Sequence, residues 1–217
     1  MGETIPGLTM RISQAIVLRD GRTVRGRFDA LTIAMHWTSA ALVLFLLASG
    51  WAMTRIDALP LVPDLLLYHR SAGALIWGLT FLRFAWRRSL AMFPPFPADM
   101  WRITKWAAQA NEYALYALLF LQPLTGLLQV MLRGHPFELF DWTVPALLTR
   151  DMAFADQVYA LHQMGALALA GLVGVHSAAA LGHHYVLRDD VLELMAPILR
   201  PRPPLPDLRA QIFAGRT

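Results

Sequence analysis

The sequence predicts an all-α membrane protein, a bundle of four transmembrane helices with both termini on the cytoplasmic side. Three observations carry this expectation. The 217 residues are 56% hydrophobic and 16% charged, whereas an ordinary soluble domain is about 45–50% apolar and about 25% charged. The apolar residues gather into four stretches, each able to cross a hydrocarbon core of about 30 Å, which takes about 20 helical residues. The basic residues gather in alternate connections. Composition also excludes several classes: the chain is too apolar for a disordered one. With no cysteine, it cannot be a disulfide scaffold, an iron–sulfur protein or a thiol enzyme.

The first stretch, Leu31 to Met53, contains no charge when its histidine is neutral. The second, Leu65 to Trp86, carries Arg70 near its start and Arg83 near its end, where long side chains snorkel to the interface. The third runs from about Ala107 to Leu132 and holds Glu112 and Pro123. A proline inside a helix is tolerated in a membrane, where neighbours re-satisfy the freed carbonyl. The fourth, about Phe154 to Val186, has Asp156 at its entry and His183-His184 at its exit. A buried soluble bundle would show polar faces at helical spacing, and Ala40 to Ala48 shows none.

Orientation follows from charge. Fifteen of the nineteen Lys and Arg residues lie before the first stretch, between the second and third counting the end of the second with Arg83, or after the fourth. Arg55, Arg70, Arg133 and Arg150 are the four on the other side. Basic residues stay cytoplasmic, so both termini are expected inside. The net charge of +4 is explained by this bias, without nucleic acid. The domain organisation expected is a basic cytoplasmic N-terminal tail over 1–29, a membrane domain over 30–187 and a proline-rich cytoplasmic C-terminal tail over 188–217. The N-terminal tail lacks the apolar run of a signal peptide.

Leaving aside His183-His184 at the exit of the fourth, four of the seven histidines fall inside the predicted spans. His36 lies near the inner end of the first and His69 near the outer end of the second. His162 lies in the outer part of the fourth, and His176 follows fourteen residues later in its inner part. At about 100° per residue, fourteen residues come within about 40° of four whole turns, and they span about 21 Å. One helix thus offers two imidazoles on nearly one face at two depths, and each depth has one partner, His36 with His176 and His69 with His162. A lone intramembrane histidine commonly hydrogen-bonds a neighbouring helix, but four that pair by depth suit two stacked bis-histidine sites. Zinc favours about four ligands in one place, and no acidic residue lies between the pairs to build a proton relay. Two imidazoles complete six-coordinate haem iron, which suits electron transfer over oxygen binding. Gly73, Gly165, Gly171 and Gly174 on the same helices would allow a flat macrocycle close to the backbone, as they would allow helix–helix contact.

Five segments, LTIAMHWTSAALVLF, LYHRSAGALIWGLTFLRFAWR, YALYALLFLQPLTGLLQ, RGHPFELFDWTVPAL and LHQMGALALAGLVGVHSAAALGHHYVLRDDVLELMAP, resemble the bacterial cytochrome b561 family, and within it the superoxide oxidase branch. The resemblance spans about Arg27 to Pro197 and implies a four-helix inner-membrane protein with two haem b groups. By it, His36 and His176 hold the inner haem iron, and His69 and His162 the outer. It further implies oxidation of superoxide at the periplasmic face and reduction of ubiquinone, giving oxygen and ubiquinol. Arg70, Arg133 and Arg150, with Arg55, are the candidates for guiding the anion. His183, His184 and Trp37 are the candidates for the quinone region. His135 is expected to face solvent. Relatives often carry a histidine where Glu112 stands, so the resemblance assigns Glu112 no role. Other relatives are quinone-linked cytochrome b subunits of dehydrogenases or hydrogenases with a partner protein, and the same haem ladder suits that task. A scaffold or transporter with merely structural histidines would bind no chromophore.

Overall fold

Four long helices carry the chain, three of them opening on a start signal in the sequence. The structure is a computed structural model describing residues 16–17, 23–24, 28–55, 62–91, 94, 96 and 100–199. Helix α1 is Ala30–Met53. Its N-cap, Asp29, accepts the Thr32 amide at 2.8 Å and the Thr32 hydroxyl at 2.7 Å, satisfying a donor that the first turn leaves open. Helix α2 is Val62–Ser89, with Asp64 in its first turn and Arg87 and Arg88 in its last, each on the end where the helix dipole favours it. Helix α3, Arg102–Leu132, keeps Pro123 inside it. Helix α4, Met152–Gly182, is capped by Asp151, which accepts the Phe154 amide at 3.0 Å. It runs on into a π-helical turn, His183–Leu187. A short helix, α5, Val191–Met195, and a 3₁₀ turn, Pro197–Leu199, follow.

Helices α1, α3 and α4 with its π turn are long and apolar enough to cross a membrane. Helix α2 is not among them; its sequence carries Asp64, Arg70, Arg83, Arg87 and Arg88. At about 1.5 Å per residue it is about 42 Å long, well beyond the hydrocarbon thickness, and its charges cluster toward its two ends. Helix α3 starts at Arg102, earlier than the expected Ala107, because polar first turns continue the helix beyond the apolar stretch.

Helix α1 packs on α2, α2 on α3 and α3 on α4, whereas α1 and α2 approach α4 sparsely. The buried centre is Val43 of α1, Ile76 of α2 and Leu169 of α4. Each lies seven residues from a histidine: Val43 from His36, Ile76 from His69, and Leu169 from both His162 and His176. Seven residues are nearly two turns, about 10.5 Å, so an apolar layer sits midway between two histidine levels. Many large apolar side chains point outward, Leu167 at 77% exposure and Trp51 at 65% among them, as side chains that face lipid do.

Two small antiparallel pairs complete the described residues. Strands β1, Ile16–Val17, and β2, Thr23–Val24, pair near the N-terminus. Strands β3, Phe137–Leu139, and β4, Trp142–Val144, form a hairpin between α3 and α4 that the sequence reading did not anticipate, three-residue strands being too short to show alternation. Its turn holds Phe140 at φ 53, and the Phe140 amide donates to the Ser71 hydroxyl on α2 at 2.8 Å. The expected tails lie largely outside the described residues, including all of 201–217. Residues 191–199 immediately after α4 are instead folded, and the Trp37 indole N–H ties α5 to α1 by donating to the Met195 carbonyl at 2.8 Å.

Candidate functional site

The structure brings the four histidines together in two pairs. The His69 and His162 rings have centroids 6.4 Å apart, and the His36 and His176 rings 6.1 Å apart. His176 is exposed within the chain and the other three are half-buried. Because α4 meets α1 and α2 only sparsely, these imidazoles reach across the gap that the backbones leave.

The surroundings of the outer pair settle which ring nitrogen carries the proton. His162 Nδ1 lies 3.1 Å from the Gln122 carbonyl and 3.0 Å from the Thr125 hydroxyl. A carbonyl only accepts, so Nδ1 is the N–H and Nε2 keeps a lone pair. On the other side, the Ser49 hydroxyl donates to the Leu46 carbonyl at 3.2 Å and lies 2.8 Å from His69 Nδ1. With its hydrogen spent on Leu46, Ser49 accepts from His69 Nδ1–H, and again Nε2 is left as a lone pair. Two such lone pairs cannot hydrogen-bond each other; they can hold an electron-pair acceptor between them. Outer hydrogen bonds of this kind are what orient metal-ligating imidazoles.

The helices supply these partners by close approach. A Cβ added at Gly126 of α3 would lie 3.1 Å from His162 Cε1, and one at Gly50 of α1 would lie 3.4 Å from His69 Cε1. At Gly165 it would lie 2.4 Å from Gln122 Oε1, whose amide donates to the His162 carbonyl at 2.9 Å. Gly73, Gly171 and Gly174 have no atom within 4 Å of such a Cβ, so these backbone stretches present flat, unobstructed surface. Ser49, Gln122, Thr125, Gly50 and Gly126 were missed by sequence reasoning. Each is ordinary in a helix, and its meaning arises only from the neighbour it meets.

The inner pair is set differently. Among the described residues neither the His36 nor the His176 ring makes a hydrogen bond; His36 instead stands edge-on to Trp37, centroids 5.5 Å apart. Glu112 is engaged by Arg87 of α2 in a two-point contact, one arm at 3.1 Å, which gives it the partner that a carboxylate at membrane depth needs. His183 Nδ1 lies 2.5 Å from Asp189 Oδ2, and His184 Nδ1 lies 3.9 Å from Glu193.

At the outer end Arg70 adjoins His69. Its Nε is buried without a partner, and its guanidinium lies 5.7 Å from the Phe137 ring centre, in a cleft also lined by Leu66, Leu67, Glu138 and Thr143. Arg133 pairs with Asp156 at 3.4 Å. Arg55 lies over the Trp51 ring at 5.9 Å. Arg150 is exposed, its Cβ 2.8 Å from where a side chain on Gly134, at φ +70, would begin. His135 is exposed, as expected. No group of three or more His, Asp or Glu side chains that could hold a metal ion occurs among the described residues.

Long apolar helices that meet through opposed imidazoles define a multi-pass membrane protein of the electron-carrying kind. Residues 27–197 match the family model described as prokaryotic cytochrome b561. The protein named "Cytochrome b561 homolog 2" of Escherichia coli (strain K12) is 34% identical over 175 residues, 78% of this chain and 90% of that one. "Probable superoxide oxidase CybB" of Yersinia pestis is 27% identical over 174 residues, 79% of this chain and 96% of that one. "Cytochrome b561 homolog 1" of the same Escherichia coli strain is 26% identical over 178 residues. The chain belongs to the prokaryotic cytochrome b561 family, and with it to the membrane electron-transfer proteins that bind haem b.

Proposed function

We propose that this chain holds two haem b groups, one between His36 and His176 and one between His69 and His162, and moves electrons from superoxide to ubiquinone. The observation that carries the reading is the outer pair, two imidazoles whose Nδ1 atoms are engaged by Ser49, Thr125 and Gln122 and whose ring centres stand 6.4 Å apart. The spacing fits. The ring centres of the two pairs stand 6.1 and 6.4 Å apart, leaving room for a metal ion between each pair of imidazoles. The unobstructed glycine surfaces and the unpartnered Arg70 Nε suit a flat, anionic macrocycle.

The haem groups that these histidines would hold would supply one-electron transfer. The chain's own residues position those groups, set the dielectric around them and admit the reactants. Two superoxide anions each give up one electron and leave as dioxygen; the two electrons, with two protons from the cytoplasmic side, convert one ubiquinone to ubiquinol. Arg70, next to His69, supplies positive charge where the anion arrives, supplemented by Arg133 and Arg150. Four spans, both termini cytoplasmic and a bacterial inner-membrane location complete the proposal, with the membrane domain over 30–187. The relative named a probable superoxide oxidase supports the choice of substrate, and the positive-inside bias supports the orientation.

The test is a superoxide pulse delivered to the purified, oxidised protein, with haem absorption followed in time. Sharp reduced bands forming faster than the uncatalysed background, then decaying when a soluble ubiquinone is added, are expected. A protein without haem absorption, or one whose haem stays ferric under superoxide, would refute the reading.

A further inference from the structure

Helix α4 does not stop where its hydrogen-bond ladder ends. His183 lies seven residues beyond His176, so along a regular helix it falls within about 20° of the same direction and about 10.5 Å nearer the inner face. His184 is turned away by a further 100° or so. At His183 the helix widens into the π turn, and Arg188 follows in the left-handed region at φ 54, ψ 39. A non-glycine residue held there costs of order 1 kcal/mol and persists only where its surroundings demand it, and π turns recur at functional positions.

What this backbone achieves is the return of Asp189 onto His183. The Asp189 amide donates to the His183 carbonyl at 3.1 Å. One carboxylate oxygen lies 2.5 Å from His183 Nδ1, and the other accepts the Val191 amide at 3.1 Å. Both side chains are well covered, at 13% and 25% exposure. Helix α5 is then pinned to α1 through the Trp37 indole, the residue after His36. The carboxylate is thus clamped from both sides, and it only accepts, so His183 Nδ1 is the N–H and Nε2 is the free nitrogen.

We propose that Asp189 is a positioning residue that holds His183 with Nε2 directed at the oxygen of a quinone bound at the inner end. The proposal rests on the ubiquinone reading above. Reduction of the quinone takes two electrons and two protons. As the electrons arrive, the Nε2–H bond of protonated His183 breaks and an O–H bond forms on one quinone oxygen; the other oxygen takes its proton from water, and His183 is reprotonated from the cytoplasmic side. In the reverse direction Nε2 accepts the quinol proton. The Asp189 carboxylate compensates the imidazolium charge at each cycle, the arrangement of a base oriented by a third group. The other titratable or charged groups of the turn, of α5 and of the link between them, the segments packed about this dyad, are His184, Tyr185, Arg188, Asp190 and Glu193.

The experiment uses the full-length, haem-loaded protein in lipid nanodiscs, with Asp189→Asn and Asp189→Glu. Haem spectra and thermal midpoints should match the original chain in both variants. With decylubiquinol as donor and dioxygen as acceptor, the reverse of the proposed reaction, Asp189→Asn should lower kcat about tenfold or more, about the low end of general acid–base contributions, with KM nearly constant and a displaced pH profile. Asp189→Glu should recover most of the rate. Nitrogen-15 NMR of labelled histidine should show His183 as the Nδ1–H form, lost in Asp189→Asn. An Asp189→Asn protein with unaltered kcat and pH profile would overturn the proposal while leaving the ubiquinone reading intact. So would a loss that Asp189→Glu does not restore, or one accompanied by a lowered thermal midpoint, since either marks a mere loop staple. An original chain that exchanges no electrons with quinone in either direction overturns both.

Discussion

Replacing His162 by alanine tests the two-level arrangement most directly. The substitution removes the ring held by Thr125 and the Gln122 carbonyl and leaves His69 facing no partner across the 6.4 Å that separated them. The inner pair stands fourteen residues along the same helix, about 21 Å away, beyond the apolar layer of Val43, Ile76 and Leu169. Among the described residues, Thr125 and Gln122, which hold the His162 ring, make no hydrogen bond to either inner ring. Haem per polypeptide should therefore fall by about half, with the remaining half keeping six-coordinate, low-spin reduced bands. A pyridine haemochrome assay against protein concentration gives the ratio, and circular dichroism checks that the bundle survives. Gly126→Leu supplies an independent version that removes no ligand. A Cβ there already comes within 3.1 Å of His162 Cε1, so a larger side chain must displace the ring, and the same halving is expected. Full haem content in both variants, or complete loss from a folded protein, would refute the pairing.

Four further outcomes follow from the same geometry. One alanine inserted after Leu169 rotates the inner half of α4 by about 100°, which should cost the inner haem and spare the outer one in the same assay. Glu112→Gln should lower the thermal midpoint by the equivalent of about 1 kcal/mol or less, because the Arg87 contact is about one-third exposed and solvent weakens such pairs; a double-mutant cycle with Arg87→Gln should show positive coupling, and strict additivity would remove the contact. Arg70→Gln should slow superoxide-driven haem reduction and flatten its dependence on ionic strength, read by stopped-flow at two salt concentrations. Because the chain has no cysteine, single cysteines placed at residue 3 and at residue 215 should be labelled by a membrane-impermeant reagent only after the cells are opened; labelling from outside would reverse the orientation.

Periodicity made the scaffold and the meeting of the histidines readable, because both depend on intervals along single helices. Fourteen residues from His162 to His176 is a statement about one element, and any regular helix converts it into two aligned rings. The family resemblance was readable for the same reason, its residues lying in long uninterrupted stretches. What stayed hidden depends on distance in space between elements. Ser49 is one of several small polar residues in a membrane helix until His69 arrives against it from α2. Glu112 stood as an unexplained carboxyl until Arg87, twenty-five residues away, was found on it. The hairpin and the π turn were hidden for a local reason, since three-residue strands and a five-residue widened turn leave no repeat long enough to detect. Helix α2, expected as a span, is not one of the three helices among the described residues apolar enough to cross a membrane, although its length and its packing in the bundle match its neighbours.

One seven-residue interval organises the inner face of α4. His162, Leu169, His176 and His183 stand at equal steps, each nearly two turns below the last, with a drift of about 20° per step. Along that stripe the residues change in kind from an imidazole with hydrogen-bonded Nδ1, to a buried apolar side chain, to an imidazole without ring hydrogen bonds, to an imidazole on a carboxylate. Leu169 meets Val43 and Ile76, each seven residues from the histidine of its own helix, so three helices contribute to the same intermediate layer. A rigid rod with this repeat needs no hinge to order its chemistry by depth. Under the proposed function, the anion would arrive at the His162 end, the apolar layer would keep water and ions from crossing, and the His183 end would handle protons. The π turn appears at the last step of the stripe, where, on the proposal above, the requirement becomes the aiming of one nitrogen. A regular helix would carry residue 189 onward along the axis; only a widened turn followed by a left-handed residue brings its carboxylate back onto His183.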